Sequence, residues 1–323
     1  MNQDNKGLNE GGELARSGLI FAFLSSLFLF VMKIATFIYS GSLVVLASAF
    51  DSLSDAVVSL VNARISKEAR EGADSQHPFG HGGFEVVGAI VQGIVILFLG
   101  YNLIAEAIRK LITPTSGAEV IVERFPLAAG VLILSAAFGF LIHKVLESKK
   151  HDIEAKEHRS LSVESDMAHY AGDMIVNILS AFGLLAIWYF NSPKTDAIFG
   201  ILAGLWLFKT AYPIMKKSFS DICHNQASPE TQQKIVEAVL ECSPKIIGIH
   251  HLRSRELGPT LFVDFHMKLP GSLTLEQAHE IGDKVEANIK RIIPRADLIV
   301  HLDPDSEEDQ IPWEPQYKIP PKA

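Results

Sequence analysis

Residues 43–63 read LVVLASAFDSLSDAVVSLVNA, a mostly apolar run of membrane-spanning length with Asp51 and Asp55 set into it. A hydrocarbon core about 30 Å thick needs about 20 predominantly apolar residues per helix. Each central carboxylate costs about 2.5–3.5 kcal/mol, or about 5–7 for the two. The Leu, Val and Phe residues return about 0.3–0.6 kcal/mol each, a sum of similar size. Alone, such a helix barely inserts. It must be sheltered by other helices, with its carboxylates turned toward something polar.

The shelter is present in the sequence. Windows at 17–40, 85–111, 125–146, 163–190 and 197–215 are apolar over comparable lengths. The expectation is a polytopic α-helical membrane protein whose six-helix bundle occupies residues 17–217, after a polar cytoplasmic N-terminal segment, 1–16. That segment lacks the apolar core of a signal peptide. Lys and Arg flank one set of loops (Arg16, Arg64, Lys67, Arg70, Lys144, Lys149, Lys150, Lys156, Arg159, Lys216, Lys217) about three times as often as the other (Arg109, Lys110, Arg124, Lys194). The bias predicts a multi-pass protein of the cell (inner) membrane with both termini cytoplasmic.

After Asp221 the pattern becomes that of a soluble domain, expected over 218–305. Ser228-Pro229 forms an N-cap and N1 pair opening a helix to about Glu241. Ile246–Glu256 and Leu261–Leu269 read as strands around Gly258-Pro259. Thr274-x-x-Gln277 is a capping box for a helix to about Ile293, and Leu298–Leu302 is a last short strand. The order αββαβ predicts a small α+β sandwich of the ferredoxin-like kind. An acidic, Pro-containing tail, 306–323, follows, and the chain after Asp303 (Pro304-Asp305-Ser306-Glu307-Glu308-Asp309) is expected to be disordered. The net charge of −8 argues against a nucleic-acid partner. Cys223 and Cys242, neither in a CxxC, read as reduced thiols in a cytosolic segment.

The ionisable residues then carry the chemistry. Asp51 and Asp55 are four apart and share one helical face. His169 and Asp173 repeat the spacing in the fifth span, with Asp166 one turn before. Two helices presenting such pairs can close three carboxylates and an imidazole around one ion, a set suited to Zn²⁺ that tolerates Cd²⁺, Fe²⁺ or Mn²⁺. The alternative is a proton relay or interhelical hydrogen bonding without metal. In the loop between spans two and three, Asp74, His77 and His81 surround Pro78 and Gly80 and form a compact N/N/O set for a second zinc. In the soluble domain His301 and Asp303 share a strand face, and His266 points away from Val263, Phe265 and Met267. His250, His251 and His279 are further candidates, and a two-metal site bridged by Asp303 is chemically reasonable. His143, His151 and His158 are too scattered to form a site.

Four segments resemble the cation diffusion facilitator family, in particular its bacterial zinc/iron members. They are Leu46–Asp55, His77–Gly82, Asp166–Asp173 and His301–Pro304, and the similarity runs from about Gly18 to Pro304. The resemblance implies six transmembrane helices, a cytoplasmic metallochaperone-like domain, a homodimer, and metal efflux in exchange for protons. It assigns Asp51, Asp55, His169 and Asp173 to the transport site and Asp74, His77 and His81 to a loop site. His250, His266, His279, His301 and Asp303 fall to a cytoplasmic binuclear site at the dimer interface; another residue type is common at His251. Relatives often carry Lys or Arg after the His-Gly pair, partnering an acid at the base of the membrane domain. Here Gly83 stands there, with Asp221 in a plausible acidic position.

The expected partners are therefore divalent metal ions, protons, the lipid bilayer and a second copy of the chain. Zn²⁺ serves as substrate and regulatory ligand, and no cofactor is implied. The chain reads as a transporter and not an enzyme: it has no HExxH, and the tetrad resembles a closed carrier site more than the open coordination position a metalloenzyme needs. A passive cation channel lined by acidic rings is the other alternative.

Overall fold

A computed structural model describes residues 3–40, 43–112, 125–190, 194–305 and 317–318. Six long helices come first: α1 (Gln3–Ser40), α2 (Leu43–Glu68), α3 (Gly83–Ile112), α4 (Phe125–Ala155), α5 (Leu161–Phe190) and α6 (Lys194–Ile222). Among the described residues five of them, all but α2, are long and apolar enough to cross a membrane. The exception carries Asp51 and Asp55, and it packs along α1. Large apolar side chains such as Phe28, Val91, Phe98 and Phe140 are exposed on the outside of the bundle.

Several helices outrun the expected spans. The polar stretch expected to precede the first span is helical from Gln3. At Gly11 and Gly12 it packs on neighbouring elements: a Cβ on Gly11 would meet the His158 ring at 2.9 Å, and one on Gly12 the Arg70 side chain at 2.6 Å. Helix α4 continues to Ala155 and α6 to Ile222, carrying the bundle beyond its apolar zone. Helices α3 and α6 pack through small residues, since a Cβ on Gly204 would meet the Gly100 carbonyl oxygen at 2.8 Å and Ile104 at 2.5 Å.

The soluble domain follows as α7 (Pro229–Leu240), β1 (Gly248–Leu257), β2 (Thr260–Leu269), α8 (Leu275–Ile292) and β3 (Ala296–Pro304). Ser228 caps α7 by accepting from Thr231 N, and the Thr274/Gln277 capping box opens α8 as expected. Strand β1 pairs antiparallel with β2, which pairs parallel with β3. Ile235, Val239, Leu261, Phe265, Met267, Val285 and Ile289 form the core between sheet and helices. A fourth strand, β4 (Tyr317–Lys318), adds to the outer edge of β1, so the tail contributes a strand the sequence pattern did not suggest. The disorder expected after Asp303 does not begin there: Pro304 ends β3, and Asp305 donates its N–H to Leu269 O and accepts from Gly271 N, both at 2.9 Å, while Ser306–Asp309 lies outside the described residues.

The two domains meet closely. The β1–β2 turn, with Gly258 at φ +58°, abuts the loop before α3: a Cβ on Gly82 would lie 2.5 Å from Leu257 O. Phe79 of that loop packs edge-on against Phe262 at 5.9 Å, and the Arg255 guanidinium covers both rings. Beside them, Arg159 lies 2.9 Å from Asp221 of α6 and 2.7 Å from Glu256 of β1, and Arg295 takes the second Glu256 oxygen at 2.6 Å.

Candidate metal centre

Within the bundle, α2 and α5 bring Asp55, His169 and Asp173 together. The His169 Nε2 atom lies 3.2 Å from Asp55 Oδ1 and 3.3 Å from Asp173 Oδ2. Ligand atoms bound tetrahedrally to zinc at about 2.0–2.1 Å stand about 3.3–3.4 Å apart, so this spacing matches the edges of a zinc tetrahedron. The Asp173 Oδ2 atom is buried and accepts no hydrogen bond among the described residues. A buried acceptor left unsatisfied is costly, and a bound cation would satisfy it. Asp51 lies one helical turn before Asp55 and lines the same cavity, of about 560 Å³, with its carboxylate outside the close trio.

Asp166 has the right periodicity for a ligand but another role. Its Oδ2 accepts from Ser59 Oγ at 2.9 Å and its Oδ1 from Asn62 Nδ2 at 3.0 Å. Asn62 also donates to Gln92 of α3, and the Ser59 hydroxyl shares a hydrogen bond with Tyr170 OH, which shares another with Ser26 of α1. This network, which occupies both Asp166 oxygens, ties four helices together.

The loop residues form a second cluster. Asp74 Oδ1 and Oδ2 lie 3.3 Å from His77 Nδ1 and 3.4 Å from His81 Nε2. The same carboxylate accepts from the backbone N–H groups of His77 and Gln76, an Asx turn fixing the loop. Those backbone bonds, that from His77 foremost, hold the Asp74 carboxyl below its usual range. It is therefore ionised and ready to ligate at neutral pH. Gly80, at φ +77°, closes the turn.

The third cluster is built by strand register. His250 of β1 pairs with His266 of β2, and His266 with His301 of β3, so three imidazoles form one cross-strand row. Asp303, two residues beyond His301 on the same face, is nearly buried and serves all three. Its Oδ2 lies 3.1 Å from His250 Nε2 and 2.9 Å from His266 Nδ1, and its Oδ1 lies 2.9 Å from His301 Nε2. With each oxygen facing at least one imidazole, the carboxylate is placed to bridge. A bulge after His250 gives His251 a φ of +52° and carries its ring to 5.1 Å from His250 and 4.8 Å from His266. His279 stands apart, exposed on α8 and 3.7 Å from Asp283. Of the scattered histidines, His143 donates through Nδ1 to Met167 O at 3.0 Å, and among the described residues no metal cluster includes His143, His151 or His158.

Sequence reasoning missed Arg159 as a junction residue. It treated this side chain as one more flanking charge, whereas Asp221 finds in it the cation that Gly83 cannot offer. The only signal was an arginine in a short loop facing two acids remote in sequence.

Comparison with known proteins agrees with this architecture. Residues 19–223 match the family profile described as the cation efflux transmembrane domain, and residues 227–305 that of the cation efflux protein cytoplasmic domain. The chain is 32% identical over 297 residues to proteins named cation-efflux pump FieF from Citrobacter koseri and Escherichia coli, covering 91% of this chain and 94% of each relative. It is 30% identical over 295 residues to the protein of that name from Cronobacter sakazakii, with the same coverage.

Proposed function

Because the chain belongs to the cation diffusion facilitator family, and is thus a multi-pass cation-efflux transporter and not an enzyme, we propose that it exports Zn²⁺ by proton antiport through Asp55, His169 and Asp173. The observation that carries this reading is the trio itself: three N/O donors within 4.8 Å of one another in a cavity of the helix bundle, the imidazole at tetrahedral-edge distance from both carboxylates, and one of those a buried oxygen without a hydrogen bond among the described residues. Asp51, on the same face, completes the set on local adjustment of α2. Cd²⁺, Fe²⁺ and Mn²⁺ accept the same donor types, and geometry rather than donor identity separates them.

Binding needs a neutral imidazole and ionised carboxylates, so metal entry displaces protons and proton entry on the far side releases metal. Rocking of the bundle around the fixed trio supplies alternating access. The excess of Lys and Arg on one set of loops supports cytoplasmic termini in a bacterial inner membrane. The soluble domain then faces the cytoplasm, fills its histidine row as metal rises, and favours a dimer in which the partner's α8 brings its own His279 to that row.

Metal flux into proteoliposomes tests the proposal. Wild type should show saturable Zn²⁺ flux with opposing proton movement, and Asp55→Ala and Asp173→Ala should abolish it. Flux that survives both substitutions overturns the site. Flux without proton counterflow across a pH series overturns antiport, and non-saturating flux favours a channel.

A further inference from the structure

The cavity that holds the trio also holds a lysine. Lys33 belongs to the first span, yet its side chain is buried and lines the same cavity as Asp51, Asp55, His169 and Asp173. Its ammonium donates to Ser52 Oγ at 2.8 Å and Ser48 O at 3.1 Å, both on α2. Lys33 is the only Lys or Arg among the described residues lining the cavity, and Glu106, also part of the lining, is paired with Arg109 on its own helix at 3.1 Å. An ammonium in the bilayer interior is expensive, and a methionine would pack between two helices without that cost. Hydrogen bonds to a serine hydroxyl and a carbonyl do not by themselves call for a full charge. A cation beside a cation-binding site repels the cargo, so its presence there asks for a reason.

The reason lies in the charge count of the loaded cavity. Asp51, Asp55 and Asp173 bring three negative charges, a divalent ion supplies two positive charges, and the imidazole is neutral as a ligand. We propose that Lys33 is a specificity-determining residue that supplies the third positive charge, making the metal-loaded cavity electrically neutral. This rests on reading the trio as the transport site. A neutral occluded site can change its exposure across a low-dielectric bilayer without moving net charge through the membrane field. The same balance discriminates by valence, since a monovalent ion leaves the cavity negative and a trivalent ion leaves it positive. Lys33 therefore weakens metal binding and speeds the crossing of the loaded state.

The experiment is isotope exchange in proteoliposomes with saturating Zn²⁺ on both sides, which isolates the loaded crossing, under imposed potassium diffusion potentials. In wild type the exchange rate should not depend on potential. Lys33→Gln keeps hydrogen bonding but removes the charge. It should lower the half-saturating Zn²⁺ concentration about ten-fold, as expected for loss of a nearby unit charge of the same sign. It should also slow exchange and make it potential-dependent. Lys33→Arg should behave as wild type. Lys33→Met, which fills the same space without charge or hydrogen bonding, should show the same tighter half-saturation and potential dependence as Lys33→Gln, a result that a purely packing role for Lys33 cannot give. Wild-type exchange that follows the potential overturns the proposal, even if no variant folds. So does a Lys33→Gln protein with unchanged half-saturation and rate. Asp55→Ala separates the two failures: if it retains exchange, the transport-site reading has failed, whereas if it is inactive and Lys33→Gln is unaltered, only the charge-balance proposal has failed.

Discussion

Replacing Arg159 by methionine should loosen the junction between the membrane and soluble domains. The guanidinium is almost wholly buried between Asp221 and Glu256, whose carboxylates lie 2.9 and 2.7 Å away. Breaking a buried pair by removing one partner costs about 3–5 kcal/mol, because the remaining charge is stranded. Glu256 keeps Arg295 at 2.6 Å, so the penalty falls mainly on Asp221 and lies near the lower bound, about 3 kcal/mol. Hydrogen–deuterium exchange of the full chain in detergent reads this locally. Amides in β1 and in the loop before α5 should exchange roughly a hundred-fold faster in Arg159→Met, each ten-fold corresponding to about 1.4 kcal/mol. Adding Asp221→Asn should recover much of the protection, since the stranded charge is gone. Unchanged protection in the single variant refutes the reasoning, as does a double variant more labile than the single.

The same junction gives a pH dependence. Burial pushes the Glu256 carboxyl up, but the Arg159 and Arg295 guanidinium groups outweigh it and hold the group below its ordinary value. The stabilisation is therefore present above the ordinary carboxylate range, about pH 4.3, and is lost as pH falls through the folded value; β1 protection measured from pH 6 to 3 should decline in wild type and less in Arg159→Met. Asp303→Ala should abolish metal binding at the histidine row, because both of its oxygens serve imidazoles, and calorimetric titration of the full chain should lose those equivalents while Asp55→Ala retains them. Gly204→Val should separate α3 from α6, since even a Cβ there meets the Gly100 carbonyl at 2.8 Å; a loss of about 1–3 kcal/mol should appear as a lower unfolding temperature in detergent.

Much of this was legible in the sequence because helical and strand periods are strict. Two carboxylates four apart in an apolar run predict one face of one helix, and the matching His169 and Asp173 predict a second helix facing it; the structure joins Asp55 to that pair. Alternation in the last strand likewise put His301 and Asp303 together, away from Leu298, Val300 and Leu302. Periodicity alone could not tell a ligand from a structural acid. Asp166 lies on the same stripe as His169 and Asp173, yet Ser59 and Asn62 occupy its oxygens, a fact that depends on side chains from another helix. Arg159 escaped notice for the same reason, as its partners come from α6 and β1. The His251 bulge was invisible because alternation predicts that its ring faces away from His250.

The histidine row has a consequence for how the soluble domain keeps its shape. Its three imidazoles come from three strands, and β3 is the last of them in the chain. A one-residue slip of β3 against β2 would carry His301 and Asp303 to the apolar side and expose Leu302 and Val300 instead. A metal ion held across the row would act as a pin through the sheet, tolerating a single alignment of strands. Chelation should then let this edge of the domain breathe, so that a bound ion would proofread the fold as well as occupy it.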